Sequence, residues 1–238
     1  MDIIIYIGLA LISVIPSIIL YKWLKKKNKD NEEICKKAFI NGIIAVFPIM
    51  LASFIFYIGE VILKFFDINT ILKEAYHTFF VLAFAEELVK FLMFKYLLKK
   101  NPGEYSWFNI TMFMTIVGIG FGVIENFTVS IGSSPIEMAI RGISIGHAGY
   151  GFIMGWFYGK MLKTGNKTYG VLAFLIPWVL HGLYDFGLSD ELLKASDKFA
   201  FISVTLEIVC IVFVFLIIRF AKKRSKSEVY NKPVINAE

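Results

Sequence analysis

The chain has 238 residues, 57% of them hydrophobic, 16% aromatic and 18% charged, with a mean hydropathy of +0.67. A soluble domain of this length carries more charge and less apolar bulk. The net charge of +6 does not point to nucleic acid, because the basic residues flank apolar blocks in the manner of membrane topology signals. Cys35 and Cys210 supply no disulfide framework.

Seven apolar segments follow in chain order, at about 3–21, 38–59, 76–98, 107–131, 138–160, 168–188 and 199–220. Each approaches the roughly 20 residues that cross a hydrocarbon core. The first begins after Met1-Asp2 with neither a basic leader nor a small-residue cleavage site, and reads as a retained helix. The stretch 60–75 mixes Glu60, Lys64, Asp67, Lys73 and Glu74 with Phe65, Phe66 and Ile71, and reads as interfacial. Strands are not expected, since an open sheet in lipid leaves backbone groups unpaired. The expected fold is all-α: a polytopic bundle of about seven transmembrane helices. It forms one integral membrane domain over 1–238, with a motif-bearing core at about 76–190 and a basic tail at 221–238.

Nineteen of the 25 lysines and arginines fall within 22–37, 95–100, 160–167 and 219–232. Lys64, Lys73, Arg141, Lys194 and Lys198 fall on the opposite side, and Lys90 within a span. By the positive-inside rule the N-terminus lies outside and the C-terminus inside.

Ionisable groups at membrane depth cost several kcal/mol and suggest function by default. Here they are Glu86, Glu87 and Lys90 in the third segment, Glu125 beside Asn126 in the fourth, and His147 in the fifth. His181 and Asp185 lie in the sixth and Glu207 in the seventh. At about 1.5 Å per residue, Glu86, Glu125, His147 and His181 all fall roughly 9 to 15 Å from the outer ends of their segments. Glu86 and Lys90, Phe121 and Glu125, and His181 and Asp185 are i,i+4 pairs that share helix faces. Gly142, Gly146, Gly151, Gly155 and Gly159 read as small-residue stripes for helix packing. Glu207 reads as a partner for a neighbouring helix, Arg141 as a snorkelling cation and His77 as an interfacial residue.

Peptide hydrolysis needs an activated water or a nucleophile, plus donors for the developing oxyanion. No His is followed by Glu, so the zinc motif H-E-x-x-H is absent. A pair of membrane aspartates is absent too. Gly142-Ile143-Ser144-Ile145-Gly146 matches G-x-S-x-G, but that elbow needs a strand-to-helix turn, and here it is expected inside a helix. A carboxylate site remains, with a glutamate as general base toward water and histidines as orienters or oxyanion donors.

The four blocks Glu86-Glu87…Lys90, Phe121…Glu125-Asn126, His147…Gly155 and His181…Asp185 occur in order on successive segments. Together they resemble the PrsW family of intramembrane proteases, distant relatives of the CAAX prenyl endopeptidases. The resemblance implies a multi-pass peptidase of the bacterial plasma membrane that makes the site-1 cut in a single-pass anti-sigma factor, near its extracytoplasmic face, in stress signalling. It implies catalytic roles for Glu86, Glu87, Glu125, His147, His181 and Asp185, supported by Lys90, Phe121 and Asn126. By analogy with the CAAX relatives, Glu86 activates water while His181 with Asp185 holds the oxyanion. Those relatives carry His where this chain has Glu125, whose role stays open between orienting water, binding metal and sharing a proton. No cofactor is required by the spacing; a divalent ion such as zinc is compatible with Glu86, Glu125, His147 and His181. The partners expected are a single-pass membrane substrate and the lipid bilayer, with no nucleic acid. Two other function classes are compatible with buried acids: a non-catalytic membrane scaffold or sensor, and a proton-coupled transporter.

Overall fold

A computed structural model of the chain describes residues 3–130, 145–195, 198–223 and 233–236. The described elements are helices α1 (Ile3–Lys27), α2 (Glu32–Ile44), α3 (Val46–Leu63), α4 (Thr70–Tyr76) and α5 (Ala85–Lys100), then α6 (Trp107–Ser130) and α7 (Gly146–Thr164). They continue as α8 (Thr168–Gly187), α9 (Asp190–Ala195) and α10 (Lys198–Lys223). A π-helical stretch, His77–Phe84, runs directly into α5. Arg141 and the stretch 142–144 lie outside the described residues, as does the side chain of Glu207.

The bundle is built around α6. Its most apolar stretch within Trp107–Val129 is 89% buried, against 17% for that within Lys29–Leu63, which sets α6 at the centre and α3 at the periphery, while α2 packs on α6 through Gly42. Phe108, Phe113, Met114, Ile116 and Ile119 of α6 are fully buried. Phe47, Met50, Leu51, Phe54, Ile55 and Ile58 of α3 are exposed, an apolar surface suited to lipid. Three helical stretches among the described residues are long and apolar enough to cross a membrane: Lys29–Leu63, Trp107–Val129 and Thr168–Gly187.

Helix α6 is started by a reciprocal cap. Ser106 Oγ accepts from the Asn109 N–H at 3.2 Å, and Asn109 Oδ1 accepts from the Ser106 N–H at 2.9 Å. The main seam, α6 on α7, is made by glycines. A Cβ at Gly151 would lie 2.6 Å from the Met114 carbonyl oxygen, and one at Gly155 2.9 Å from that of Thr111, so only hydrogen lets the backbones approach.

Three local features differ from the sequence expectation. The second apolar segment is divided at Ala45 into α2 and α3. A two-stranded antiparallel ribbon does form, pairing Glu104–Ser106 with Pro233–Asn236. It lies at the start of α6, the end marked by the basic clusters, so its backbone needs no partner in hydrocarbon. The fifth segment is not one helix over 138–160. Helix α7 begins at Gly146, after Ile145 in a left-handed conformation at φ 42°.

Candidate active site

Glu86 and Glu87 open α5 and, being adjacent on a helix, point about 100° apart. Glu86 faces a cavity of about 350 Å³, whereas Glu87 is fully buried behind it. Lys90, one turn on, is 1% exposed and donates to both, at 2.7 Å to Glu87 Oε1 and 3.4 Å to Glu86 Oε2. The tighter contact is the i,i+3 pair, not the i,i+4 pair that the spacing first suggests. The Lys90 ammonium also lies 4.4 Å from the centre of the Phe121 ring, which covers it with a π-face.

Lys90 has a third partner, His147 Nδ1, at 3.1 Å. An ammonium only donates, so Nδ1 accepts and the neutral ring keeps its proton on Nε2. That Nε2 hydrogen-bonds Glu125 Oε2. His181 is set by a different carboxylate, its Nδ1 donating to Glu87 Oε1 at 2.9 Å. Its Nε2 then faces Asp185 Oδ2 at 3.4 Å and Glu86 Oε2 at 3.8 Å. Tyr150 stacks on the His181 ring at 4.8 Å and 20°.

Glu86, Glu125, Asn126, His147, His181 and Asp185 therefore line one cavity, contributed by α5, α6, α7 and α8. Glu87, Lys90 and Phe121 stand behind its wall and hold the others in place. Tyr150, Tyr184 and Ser17 also line it and were not singled out from sequence. Tyr150 lies three residues from His147 on the same helix, a spacing that puts both on one face.

The donor chemistry suits a divalent cation. With the His181 proton on Nδ1, its Nε2 lone pair converges with the Glu86 and Asp185 carboxylates at 3.8 and 3.4 Å. Ligands about 2.0–2.2 Å from one tetrahedral ion stand roughly 3.3–3.6 Å apart. The carboxylate on the far nitrogen of His181 is the usual outer partner of a metal-bound imidazole. Glu86, Glu87, His147 and His181 also have ligand atoms within 4.8 Å of one another. Lys90 stands against Glu86, Glu87 and His147, which leaves His181 Nε2, with the Asp185 carboxylate 3.4 Å away, as the donor pair open to an ion.

A family model described as the PrsW family intramembrane metalloprotease matches residues 32–218. The chain belongs to the PrsW family. It is 31% identical over 194 residues to a protein named Protease PrsW from Oceanobacillus iheyensis, covering 79% of this chain and 83% of that one. Proteins of the same name from Clostridioides difficile and Bacillus subtilis are 27% and 28% identical over 197 and 186 residues. Those matches cover 78% and 75% of this chain and 81% and 78% of the relatives. No solved structure matches the chain. As a PrsW-family protein, the chain is a membrane peptidase.

Proposed function

We propose that this PrsW-family peptidase cuts a single-pass membrane protein near its extracytoplasmic face, using a water activated by Glu86. The observation that carries the reading is the cavity on which Glu86, Glu125, His147, His181 and Asp185 all open. A general base must reach water directly, and Glu86 is the carboxylate of the adjacent pair that does so. The lone pair of His181 Nε2 and the Asp185 carboxylate face the same space and orient that water. Glu125 fixes the His147 ring, and Lys90 neutralises the buried pair Glu86 and Glu87.

A divalent ion would be held by His181 and Asp185 beside Glu86, and its charge would make water more acidic and polarise the substrate carbonyl.

Orientation supports the outer cut. Glu86 is at the start of α5 and His147 at the start of α7, while Glu125, His181 and Asp185 are toward the ends of α6 and α8. Lys99, Lys100, Lys160, Lys163 and Lys167 occupy the opposite ends of α5, α7 and α8. The positive-inside rule then puts the cavity toward the exterior of the bacterial plasma membrane. A single seven-pass domain over 1–238, N-terminus outside and C-terminus inside, is consistent with this arrangement. By family analogy the substrate is an anti-sigma factor and the cut is the site-1 step of a stress response. The reading is tested by co-expressing a tagged single-pass anti-sigma factor with wild-type chain or Glu86→Ala. Loss of the cleaved fragment at equal protein level is expected, and unchanged cleavage overturns the reading.

A further inference from the structure

Attack of water on a peptide carbonyl creates an oxyanion, and hydrolysis needs hydrogen-bond donors aimed at it. The two imidazoles are poorly placed to supply them. His147 Nε2 is turned to Glu125 and its Nδ1 accepts from Lys90. His181 Nδ1 is turned to Glu87, and its Nε2 faces Asp185 and Glu86. Each imidazole N–H is therefore directed at a carboxylate.

We propose that the oxyanion is held by the backbone N–H groups of Gly146 and His147, at the start of α7, together with the Ser17 hydroxyl of α1. Three observations converge. Helix α7 begins inside the cavity wall, where Ile145, Gly146, His147 and Ala148 all line the space. The Ala148 N–H is used, bonding the Ile145 carbonyl at 3.0 Å, whereas those of Gly146 and His147 have no partner among the described residues. The first N–H groups of a helix have no partner within it and carry the positive end of its dipole.

The second observation is independent of the helix. Ser17 is 1% exposed and lines the same cavity, and its hydroxyl has no hydrogen-bond partner among the described residues. Its hydroxyl opens on the cavity and is not sealed in the core, so it can donate to a bound substrate oxygen. The third is Ile145. A β-branched residue at φ 42° is strained, and such strain persists where the surroundings enforce it. Here it is the N-cap of α7, which sets the first N–H groups of that helix in the cavity lining.

The inference rests on Glu86 as the base. Water oxygen bonds to the carbonyl carbon as Glu86 takes a water proton, and the carbonyl electron pair moves onto oxygen. That oxygen accepts hydrogen bonds from Gly146 N–H, His147 N–H and Ser17 Oγ–H. On collapse the C–N bond breaks, the nitrogen takes the proton from Glu86, and a carboxylic acid and an amine leave. Ser17 is on α1, outside the residues 32–218 that match the family model, and this role would make α1 part of the site.

The test is cleavage of a purified, fluorescently tagged single-pass anti-sigma factor by the full chain in detergent micelles. Ser17→Ala is expected to lower kcat about 10-fold with KM unchanged, and Ser17→Thr, which keeps the hydroxyl, to recover much of that loss. Gly146→Pro removes one N–H but also strains Ile145 before it, so it is read at equal folded protein, where it is expected to lower kcat about 100-fold relative to Gly146→Ala. If Gly146→Pro does not fold, the Ser17 pair decides alone. Ser17→Ala with kcat within twofold of wild type, while Glu86→Gln is inactive, overturns the oxyanion assignment and leaves Glu86 standing. Full activity of Glu86→Gln overturns both.

Discussion

Glu87 Oε1 accepts from His181 Nδ1 at 2.9 Å, joining two helices across 94 residues of sequence, and the same oxygen accepts from Lys90 at 2.7 Å. This one buried carboxylate fixes both the tautomer of the cavity histidine and the position of the buried ammonium. Its neighbour Glu86 is left to face the cavity. Two adjacent, identical side chains therefore have different work.

Glu87→Gln keeps the shape but weakens both bonds, and cleavage is expected to fall about 10- to 100-fold, as for carboxylates that orient a functional imidazole. Glu87→Ala leaves Lys90 buried without its nearest carboxylate, at a cost of about 3–5 kcal/mol. Adding Lys90→Met to Glu87→Gln is expected to restore the thermal midpoint in detergent but not cleavage. A double mutant that regains cleavage contradicts the positioning role.

Phe121 covers the Lys90 ammonium and meets the His147 ring edge-on, with centroids 4.8 Å apart. Phe121→Leu removes a desolvated cation–π contact of about 2 kcal/mol. The thermal midpoint is expected to fall, while Phe121→Tyr, which keeps the ring face, falls less. Equal midpoints for the two variants contradict the contact.

The seam between α6 and α7 predicts which glycines tolerate a side chain. Gly155→Val sets new atoms against Thr111 and Met114 and is expected to abolish accumulation of folded protein. Gly8, where an added Cβ meets nothing within 4 Å, is expected to accept alanine with a change of less than about 0.5 kcal/mol. Yield and monodispersity after detergent extraction check both.

Much of this site was legible in the sequence because its pairs repeat at helical spacing. Glu86 with Lys90 and His181 with Asp185 meet as i,i+4 neighbours should. What the sequence could not convey was division of labour, since burial of Glu87 behind Glu86 depends on which face of α5 meets α8. The break at Ile145 was hidden as well: isoleucine is a poor left-handed residue, and only tertiary packing explains it there. Ser17 gave no signal on α1, because the Ser13 and Ser17 pair in an apolar span carries no charge and reads as ordinary helix packing. The π-helical stretch His77–Phe84 was equally silent, its residues being ordinary helix formers in an apolar run.

The approach of Asp185 to His181 Nε2 predicts a metal-binding constant that both residues control. Titration of the purified, chelator-treated chain with Zn²⁺ is expected to show one saturable site by calorimetry, weakened about 10-fold or more in His181→Ala and in Asp185→Ala. His147→Ala is expected to bind more nearly as wild type does, because its Nε2 proton is turned to Glu125. Loss of the site in His147→Ala, with retention in Asp185→Ala, contradicts that ligand set.

The most direct measurement is the rate at which Glu86→Gln cleaves a single-pass substrate, compared with Glu87→Gln at equal folded protein. Glutamine preserves volume and hydrogen bonding but cannot take a proton from water. Glu86→Gln is expected to lose at least about 100-fold in kcat, the contribution of a positioned general base, and Glu87→Gln to retain measurable turnover. Full turnover by Glu86→Gln, or an inactive Glu87→Gln beside an active Glu86→Gln, contradicts it.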